Sequence, residues 1–311
     1  MILCVTPNAA IDRTLIAPGF RLGEVSRAVR ASVAAGGKGL NVARAIHRLG
    51  GDPLCAGFLA GHTGRLFAEL AEREGLRGVW TWIEGETRAC IVLVDPDRRE
   101  ATLVNEPGPD VSAQDWSRFE ADVLREAASA ECVCLSGSLP PGSPPEAFAR
   151  LIRALCVEGK AVWVDTSGPA LGAALAAGPI GIKVNNVEAG GFLGMSITDP
   201  PTGAQAAAEL RRRGADTVVL TLGISGAVMV NQMGKWWAWP PALQTLSPIG
   251  SGDTFLGGLV LALTSGAPPA EALRQAVAAG AANALSVGGG HWELSNFKTV
   301  LAASVVAPIS V

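Results

Sequence analysis

The 311-residue sequence lacks any long block of basic residues and carries few charges of either sign. Lysine, arginine, aspartate and glutamate together make up 17% of the chain, and the formal net charge is -3. Without a run of Lys and Arg there is no basic stripe to neutralise a nucleic-acid backbone, which argues against nucleic acid as the main partner. A few placed cations still suffice for one phosphate of a small molecule. Because 49% of the residues are hydrophobic, the sequence is typical of a globular chain and not of a disordered one.

Metal-binding cysteine patterns and membrane segments are also absent. The chain has 6 cysteines, but none stand in CxxC spacing with a second pair of ligands, so a zinc site is not predicted. Cys132 and Cys134 alternate within an apolar run, which indicates two buried thiols on one face of a strand. No apolar run reaches the ~20 residues of a membrane span, and no signal-type segment is found at the N-terminus. We therefore expect a protein of the cytoplasm with no membrane partner.

Two common nucleotide-binding loops are missing, although the chain is rich in glycine. The cluster Gly36-Gly37-Lys38-Gly39 precedes a helical run, but Leu40 stands where a Walker A loop has the Ser or Thr that binds magnesium. No GxGxxG with an acidic residue about 20 positions on is found, so a nicotinamide site is unsupported. Lys38 falls at the positive end of the helix dipole, where a cation is unfavourable unless it meets an anion. A solvated lysine and a ligand contact both remain open, and the dipole favours the second.

Short apolar strands alternate with amphipathic helices from residue 112 onward. This alternation implies βαβ units around a parallel sheet. We predict helices at 40–49, 112–129, 145–158, 202–213, 253–265 and 269–286, and strands at 2–6, 131–135, 161–165, 180–184, 217–221 and 227–231.

Two segments nearer the N-terminus do not fit this alternation. Residues 10–35 look irregular with short β-like pieces, and residues 90–105 indicate a hairpin around a charged turn at 97–100. We predict that insertions at about 10–35 and 86–106 form one small β-sheet, a lid over a single main domain that spans residues 1–311. No internal repeat or flexible linker suggests a second domain.

Polar or glycine residues follow nearly every predicted strand of the main domain. In an open parallel sheet, ligands bind outside the carboxyl ends of the strands, so these residues should meet at one edge. The polar ends are Thr6-Pro7-Asn8, Ser136-Gly137-Ser138, Asp165-Thr166-Ser167, Asn185-Asn186 and Thr221-Leu222-Gly223.

The loop Gly250-Ser251-Gly252-Asp253 leads into the helical run 256–263. Its glycines let the backbone approach a ligand closely, and the N–H groups of the following helix suit phosphate oxygens. Asp253 has two interpretations on local sequence alone. It is either an ordinary N-cap or a base that takes a proton from a substrate hydroxyl while the loop stabilises the transferred phosphoryl group.

With both glycine loops in place, the sequence resembles the ribokinase-like superfamily and, within it, the phosphofructokinase B group of sugar kinases. The resemblance runs nearly end to end and rests on motifs in the same order. These are Thr6-Pro7-Asn8-Ala9-Ala10-Ile11-Asp12, Gly23-Glu24-Val25, Gly36-Gly37-Lys38-Gly39-Leu40-Asn41-Val42-Ala43-Arg44, Thr87-Arg88, Ser136-Gly137-Ser138-Leu139-Pro140-Pro141-Gly142, Asp165-Thr166-Ser167, Lys183-Val184-Asn185-Asn186-Val187-Glu188, Leu222-Gly223-Ile224-Ser225-Gly226-Ala227 and the Asp253 loop. It implies an α/β fold, a three-layer αβα sandwich with a mostly parallel central sheet and a small β-sheet lid.

The resemblance also implies roles for single positions. Asp253 matches the catalytic base of the family. The residues of its anion hole match Gly250, Ser251 and Gly252. The residues that match the acceptor site are Asp12 at the sugar hydroxyls, Gly37 and Asn41 in the same pocket, and Lys38 and Arg88 at the acceptor's phosphate, with Ser136 or Ser138 nearby.

For the phosphoryl donor the resemblance implies ATP with Mg²⁺. Lys183 and Asn185 match the contacts to the nucleotide phosphates, and Glu188 matches the acidic residue tied to magnesium and its waters. The remaining nucleotide contacts are expected at Thr221, Gly223, Ser225 and Gly226, with Asn283 near the adenine.

Two positions depart from the family pattern. The family usually has proline at the position of Val184, which leaves this loop less stiff. It usually has alanine at the position of Ser251, where the added hydroxyl could change contacts to the nucleotide phosphates. We expect activity to survive both changes.

The expected activity is ATP-dependent phosphorylation of a hydroxyl of a ketohexose phosphate to a bisphosphate. Lys38 and Arg88 would be unpaired in a closed site without a phosphate on the acceptor, so the pair argues for a phosphorylated sugar. Fructose 1-phosphate, tagatose 6-phosphate and fructose 6-phosphate all suit the pocket, and Lys38 favours the first two. A kinase for an unphosphorylated sugar or nucleoside and a non-catalytic nucleotide- or sugar-binding regulator are the alternatives. By the same resemblance, the lid is expected to pair two copies into a homodimer.

Overall fold

Two sheets of unequal size organise the chain in the computed structural model, which describes residues 1–98, 100–286 and 292–310. The described strands are β1 (Ile2–Thr6), β2 (Ala10–Ile16), β3 (Arg30–Gly36), β4 (Pro53–Ala60), β5 (Arg77–Ile83), β6 (Arg88–Asp95), β7 (Glu100–Asn105), β8 (Cys132–Ser136), β9 (Ala161–Asp165), β10 (Gly181–Asn185), β11 (Thr217–Thr221), β12 (Ala227–Asn231), β13 (Gly234–Trp239) and β14 (Val305–Pro308). The described helices are α1 (Lys38–Arg48), α2 (Gly61–Arg73), α3 (Ala113–Ala127), α4 (Pro145–Val157), α5 (Gly168–Leu175), α6 (Asn186–Leu193), α7 (Pro200–Arg212), α8 (Ser251–Thr264), α9 (Pro269–Ala284) and α10 (Leu294–Ala303).

The larger sheet has the strand order β14-β13-β12-β11-β10-β9-β8-β1-β4-β5. All neighbours from β5 to β11 are parallel, and the three strands beyond β11 are antiparallel. Parallel strands place their carboxyl ends at a common edge. The polar strand ends that the sequence singles out therefore share one edge of this sheet.

Helices cover both faces of the larger sheet. Along β1, Leu3 and Val5 pack into a core with residues of α3 to α7. The alternate residues Ile2 and Cys4 pack into a second core with residues of α1, α2, α8 and α9. Because strand side chains alternate between faces, one buried strand serves both cores. The result is a three-layer αβα sandwich, as expected.

The cysteines behave as buried hydrophobic residues. Cys132 and Cys134 belong to the second core, and Cys134 lies opposite Cys4 on the neighbouring strand. All six are free thiols. Desolvation raises the pKa of Cys55 in the same core to about 12, which holds that thiol protonated. The prediction of a buried thiol pair is confirmed.

The smaller sheet has the strand order β3-β2-β6-β7 and draws on the two expected segments. Residues 10–35 were expected to be irregular with short β-like pieces. Residues 17–29 do lie outside any helix or strand, but β2 and β3 on either side are regular strands of seven residues each. β2 pairs antiparallel with β3 and parallel with β6, so most of its order comes from residues distant in sequence. Arg99, in the predicted charged turn, lies outside the described residues.

The elements predicted from residue 112 onward agree with the structure to within two residues, and β9, β11 and β12 have the predicted bounds. The sequence patterns missed β4, α2 and β5, and also the short helices α5 and α6 and the last strands. β4 is buried at all eight positions, so it has no polar alternation to reveal it. No helix within the described residues is long and apolar enough to cross a membrane.

Candidate active site

A buried carboxylate joins two lysines at the shared edge of the larger sheet. Asp165, the last residue of β9, is fully buried and accepts from Lys38 Nζ at 2.9 Å and from Lys183 Nζ at 2.8 Å. Lys38 opens α1 and Lys183 lies on the neighbouring strand β10. Lys38 Nζ also lies 3.6 Å from Glu188 Oε1. The structure thus brings two predicted cations and the predicted magnesium ligand together around an aspartate to which no role had been assigned.

The charges of this cluster explain its titration. Burial alone would raise the pKa of Asp165, but the two ammonium groups outweigh it and hold the pKa below its usual value. Burial would likewise lower the pKa of Lys38, but the charges of Asp165, Asp253 and Glu188 raise it overall. Asp165 and Lys38 are therefore both charged at neutral pH, as an electrostatic site for phosphates requires.

Asp253 lies in the first turn of α8, and it is not the N-cap. The N-cap is Gly250, which has a left-handed φ of 75°, and no side chain caps this helix end. The N-cap interpretation of Asp253 is therefore wrong, because the helix begins two residues earlier. Its Oδ2 instead accepts from Asn41 Nδ2 at 2.8 Å. Burial, and then the like charge of Asp165, raise the pKa of Asp253 to about 6, although both site lysines act in the opposite direction.

The glycine loop before α8 is shaped by two neighbours. A Cβ on Gly252 would lie 2.7 Å from Lys183 Nζ, so only glycine allows this lysine to approach the helix end. Behind the loop, Asn283 Nδ2 donates to Ile249 O at 2.8 Å and to Ser251 Oγ at 3.2 Å. The Ser251 hydroxyl is thus engaged from behind the loop.

Asn283 supports the glycine loop from inside the protein. Its side chain is fully buried, and its Oδ1 accepts from Thr254 Oγ1 at 3.3 Å. Its hydrogen bonds hold the loop and the first turn of α8 together from the protein interior. Its expected place near the adenine stays a prediction.

The residues predicted to bind the acceptor lie where the smaller sheet meets the larger one. The Asp12 carboxylate packs directly over Gly36, leaving no room there for a Cβ. Burial raises the pKa of Asp12 to about 6 against the opposing charges of Arg44 and Arg88. Gly37, the N-cap of α1, has φ 110° and lies against Thr6, where a Cβ would be 2.7 Å from the threonine Cγ2.

Arg88 has partners that it does not share with Lys38. Its guanidinium donates to Asn8 O and to Glu106 O, each at 3.0 Å. Asn8 in turn donates through Nδ2 to Ser138 Oγ at 3.3 Å. Ser136 Oγ is buried and has no hydrogen-bond partner among the described residues. Arg88, Ser138 and Ser136 are thus near one loop, whereas Lys38, expected to act with Arg88, is held by Asp165.

On β10, the predicted nucleotide residues form a helix cap. Asn185 is the N-cap of α6, with its Oδ1 accepting from Glu188 N at 2.8 Å and its N–H donating to Glu188 Oε2 at 2.9 Å. This capping box leaves Glu188 Oε1 directed at Lys38. Val184, where the family usually has proline, is fully buried in the core and continues the strand.

The predicted nucleotide loop follows β11 at the same edge. Gly223 and Gly226 have left-handed φ values of 58° and 84° and bracket a 3-10 turn. Ser225 O accepts from Trp237 Nε1 at 2.8 Å, and Thr221 Oγ1 lies 3.5 Å from Val184 O. The loop is thus fixed against both β10 and β13.

Comparison with known proteins agrees with this geometry. Residues 3–294 match the profile of the pfkB family carbohydrate kinases. The chain is 36% identical over 278 residues to a 1-phosphofructokinase of Rhodobacter capsulatus, covering 89% of this chain and 88% of that protein. It is 35% identical over 277 residues to a 1-phosphofructokinase of Escherichia coli K12, with the same coverage.

Solved structures show the same fold. Phosphofructokinase-2 of Escherichia coli in complex with substrates and products superposes with a TM-score of 0.90 at 30% identity, over 97% of this chain and 98% of that one. A ribokinase of Thermotoga maritima, at 20% identity, covers 97% of this chain and 99% of its own with a TM-score of 0.77, and it supports the fold alone. The predicted ribokinase-like fold is confirmed.

Proposed function

The chain belongs to the pfkB family of carbohydrate kinases, and from that membership we propose that it transfers the terminal phosphoryl group of ATP to a hydroxyl of a fructose phosphate. The observation that carries this proposal is a buried carboxylate, Asp253 in the first turn of α8, whose pKa responds to the charges of Lys38 and Lys183, the two lysines that bind Asp165. Phosphoryl transfer needs a base for the attacking hydroxyl and fixed positive charge around the transferred group. Both lie within one site.

Asp253 serves as the base in this proposal. Its Oδ2 is occupied by the Asn41 amide, so Oδ1 is the oxygen placed to accept the proton of the acceptor hydroxyl. A pKa of about 6 leaves the carboxylate ionised at neutral pH and still basic enough to share the proton as the new bond forms. The N–H of Ser251 donates to Pro248 O at 3.1 Å. The next N–H groups of the first turn, those of Gly252 and Asp253, have no partners within the helix and suit the charge on the transferred phosphoryl group.

The nucleotide phosphates would be held from the other side of the glycine loop. Lys183 lies against Gly252 at the helix end, and the backbone of the loop from Thr221 to Gly226 borders the same edge. Lys38, because it shares Asp165 with Lys183, is placed to neutralise the transferred group rather than the acceptor's own phosphate. This changes the role that the family resemblance implied for Lys38.

A magnesium ion fits the donor set at Glu188. No group of three or more His, Cys, Asp or Glu that could hold a metal occurs in the described part of the chain. Mg²⁺ usually keeps several waters and binds proteins through one or two carboxylates plus substrate phosphates, so the single Glu188 oxygen beside the phosphate lysines suits it. When bound, it would neutralise charge on the nucleotide phosphates.

The acceptor would lie between the two sheets. Asp12, Gly37 and Asn41 border the sugar, and Arg88 with Ser136 and Ser138 is placed for its phosphate. Fructose 1-phosphate is the proposed acceptor because the two most similar relatives described above are 1-phosphofructokinases. Tagatose 6-phosphate and fructose 6-phosphate present the same charge and are the competing acceptors.

Coupled measurement of ADP release tests the proposal. The panel comprises the three sugar phosphates, free fructose and a control without acceptor, each with wild type and with Asp253→Ala. We expect turnover with a sugar phosphate, highest kcat/KM for fructose 1-phosphate, and a loss of about 10²–10⁴-fold in the variant. Binding without turnover by calorimetry would instead identify a regulator, and unchanged turnover in Asp253→Ala would remove the base assignment.

One observation favours an acceptor without a phosphate. Lys38 is held by Asp165 and is assigned above to the transferred phosphoryl group, so Arg88 is the remaining predicted cation for an acceptor phosphate. If the acceptor is phosphorylated, Arg88→Ala should raise its KM at least roughly tenfold, because a charged hydrogen bond is lost. A KM that hardly changes would favour an unphosphorylated sugar or nucleoside.

We also propose that the smaller sheet acts as a lid and pairs two copies of the chain. Its outer strands expose apolar side chains, including Val33 at 42%, Leu103 at 49% and Val104 at 56%. Such a surface is favourable to bury against a partner. Phosphofructokinase-2 of Escherichia coli has been crystallised as a tetrameric inhibited form. A cytoplasmic location stays a prediction.

A further inference from the structure

A buried arginine lies behind the site, and the proposed chemistry gives it no role although it ends the motif that begins at Gly36. Arg44 belongs to α1, one turn beyond Asn41, and its side chain is 3% exposed. A buried guanidinium is costly unless its donors are satisfied in a fixed geometry. Its burial beside the proposed base therefore requires an explanation.

Glu74 holds the guanidinium in a two-point pair. Arg44 Nη2 donates to Glu74 Oε1 at 2.8 Å, and Nε donates to Glu74 Oε2. Glu74 is the C-cap residue of α2, where the negative end of the helix dipole disfavours a carboxylate. The bidentate arginine offsets that cost, and it fixes the plane of the guanidinium.

The remaining donors of Arg44 reach two groups on the site side. Nη1 donates to Asn41 Oδ1 at 2.7 Å, and Nη2 donates to Ala35 O, next to the last residue of β3. Since arginine has five donors and no acceptor, it can only meet the oxygen of the Asn41 amide. The amide must then present its N–H₂ group on the other side, where it donates to Asp253 Oδ2 at 2.8 Å.

We propose that Arg44, held by Glu74, is a positioning residue that fixes the Asn41 amide so that it donates to the base Asp253. The chain of contacts Glu74–Arg44–Asn41–Asp253 leaves Oδ1 of the base for the acceptor hydroxyl. It also keeps a hydrogen-bond donor on the carboxylate in its ionised form. The same guanidinium holds the end of the strand that passes over Asp12, so the base and the acceptor site share one anchor.

Loss of Arg44 should change the titration of the base in a defined direction. The groups that face Asp253 are Asp165 on β9, Lys183 on β10, and Lys38 and Asn41 on α1. Of these, only Asn41 depends on Arg44 for its orientation. A released amide can turn its oxygen toward the carboxylate, which disfavours the ionised form and raises its pKa.

The test compares pH profiles of kcat/KM for wild type, Arg44→Met and Arg44→Lys. Loss of the Arg44 charge also raises the pKa of Asp12, whereas Arg44→Lys keeps that charge without the guanidinium that joins Glu74 to Asn41, so a shift in both variants reports the positioning of Asn41. The pH below which kcat/KM falls (the acid limb of the profile) should rise by about 0.5–1 pH unit. We also expect kcat to fall roughly tenfold, since one hydrogen bond to the ionised base is lost. The KM for ATP should stay within about twofold, because no nucleotide contact changes. Arg48→Met is the matched control: it lies on the same helix, donates to Trp292 O, and should keep the wild-type profile.

Glu74→Gln provides a second variant if Arg44→Met does not fold. Glu74 is 27% exposed, and the amide keeps one acceptor for Arg44, so a smaller shift in the same direction is expected. A wild-type acid limb in folded Arg44→Met or, failing that variant, in Glu74→Gln would overturn the positioning role.

This inference rests on the proposed kinase activity, and Asp253→Ala separates the two. If Asp253→Ala abolishes turnover while the Arg44 profile is unchanged, only the positioning role fails. If Asp253→Ala keeps wild-type turnover, the assignment of the base fails first.

Discussion

At the residue scale, Asp165 and Asp253 lie in one buried site and differ in what faces them. Asp165 meets two ammonium groups within 3 Å, and its pKa falls. Asp253 meets one neutral amide and the negative charge of Asp165, and its pKa rises to about 6. The first is therefore suited to hold cations, and the second is suited to exchange a proton.

The raised pKa of Asp253 predicts a pH dependence with a definite sign. The base acts only when ionised, so kcat/KM should fall as pH drops through about 6. Asp12, whose pKa is also raised to about 6, can accept from sugar hydroxyls with both oxygens only when it is ionised. Because two groups must ionise, the plot of log kcat/KM against pH should have a slope greater than one on its acid side. Activity that is constant down to pH 5 would contradict the assignment of both carboxylates.

Asp165→Asn should destabilise the fold more than a surface charge change. It leaves the buried Lys183 ammonium without a counter-charge, which costs about 3 kcal/mol. The folded-state pKa of Asp165 is lowered, so its contribution to the free energy of unfolding is fully present above the ordinary aspartate pKa. That contribution is lost as pH falls through the lowered folded-state pKa. Urea unfolding at neutral and at acidic pH checks both statements.

Glu69→Gln is the control for this substitution. Its ion pair with Arg73 is exposed on α2, so about 0.5 kcal/mol or less is expected. Equal losses in the two variants would show that the buried pair adds no special stability.

Sequence alone could predict Lys38, Lys183 and Asp253 as site residues, because each stands in a recognisable motif. It could not assign Asp165 its role, because that role arises only when Lys38 and Lys183, on different elements, converge on one carboxylate. It also missed Arg44, whose partner Glu74 lies 30 residues away on another helix. The signal that could have found Glu74 is its position at the end of α2, where a carboxylate needs a cation.

At the element scale, the loop after β11 depends on two glycines that differ in their surroundings. Both have left-handed φ values, but a Cβ on Gly223 would meet nothing within 4 Å. A Cβ on Gly226 would lie 2.7 Å from Trp239 Cα and closer still to Ala238 O. Only the second glycine is required by backbone packing as well as by conformation.

Gly226→Ala should therefore cost more than Gly223→Ala. Left-handed strain alone predicts about 1 kcal/mol for Gly223→Ala. Added overpacking against β13 predicts about 3 kcal/mol for Gly226→Ala, together with a higher KM for ATP because the nucleotide loop moves. Thermal or urea unfolding and ADP-release kinetics measure both effects. Equal costs would show that β13 yields to the added methyl group.

The elements that the sequence predicted well share a clear local pattern. β9, β11 and β12 are short apolar strands bounded by polar ends, and their predicted bounds are those of the structure. The missed β4 is buried on both faces, and β2 is ordered by pairing with β3 and β6 rather than by its own pattern. Local periodicity cannot report order that comes from distant partners.

At the scale of the whole molecule, the smaller sheet has two edge strands and a face that the larger domain does not cover. β3 and β7 are its edges, and each has a neighbour on one side only. Exposed edges with apolar side chains are favourable sites for pairing with another chain. A second copy of the same lid offers a self-complementary surface around a twofold axis.

The proposed lid dimer can be tested by placing charge on its outer strand. Leu103 and Val104 are adjacent on β7 and therefore point to opposite faces of the sheet, so Leu103→Glu/Val104→Glu blocks either face. We expect wild type to have the mass of a dimer by light scattering and the double variant to have the mass of a monomer, because buried unpaired carboxylates are strongly unfavourable. Val157→Glu is the control, since Val157 is 88% exposed at the end of α4 and lies outside the lid. A wild-type monomer, or a dimer that persists in the double variant, would place any association elsewhere and leave the lid as a cover for the site of a single chain.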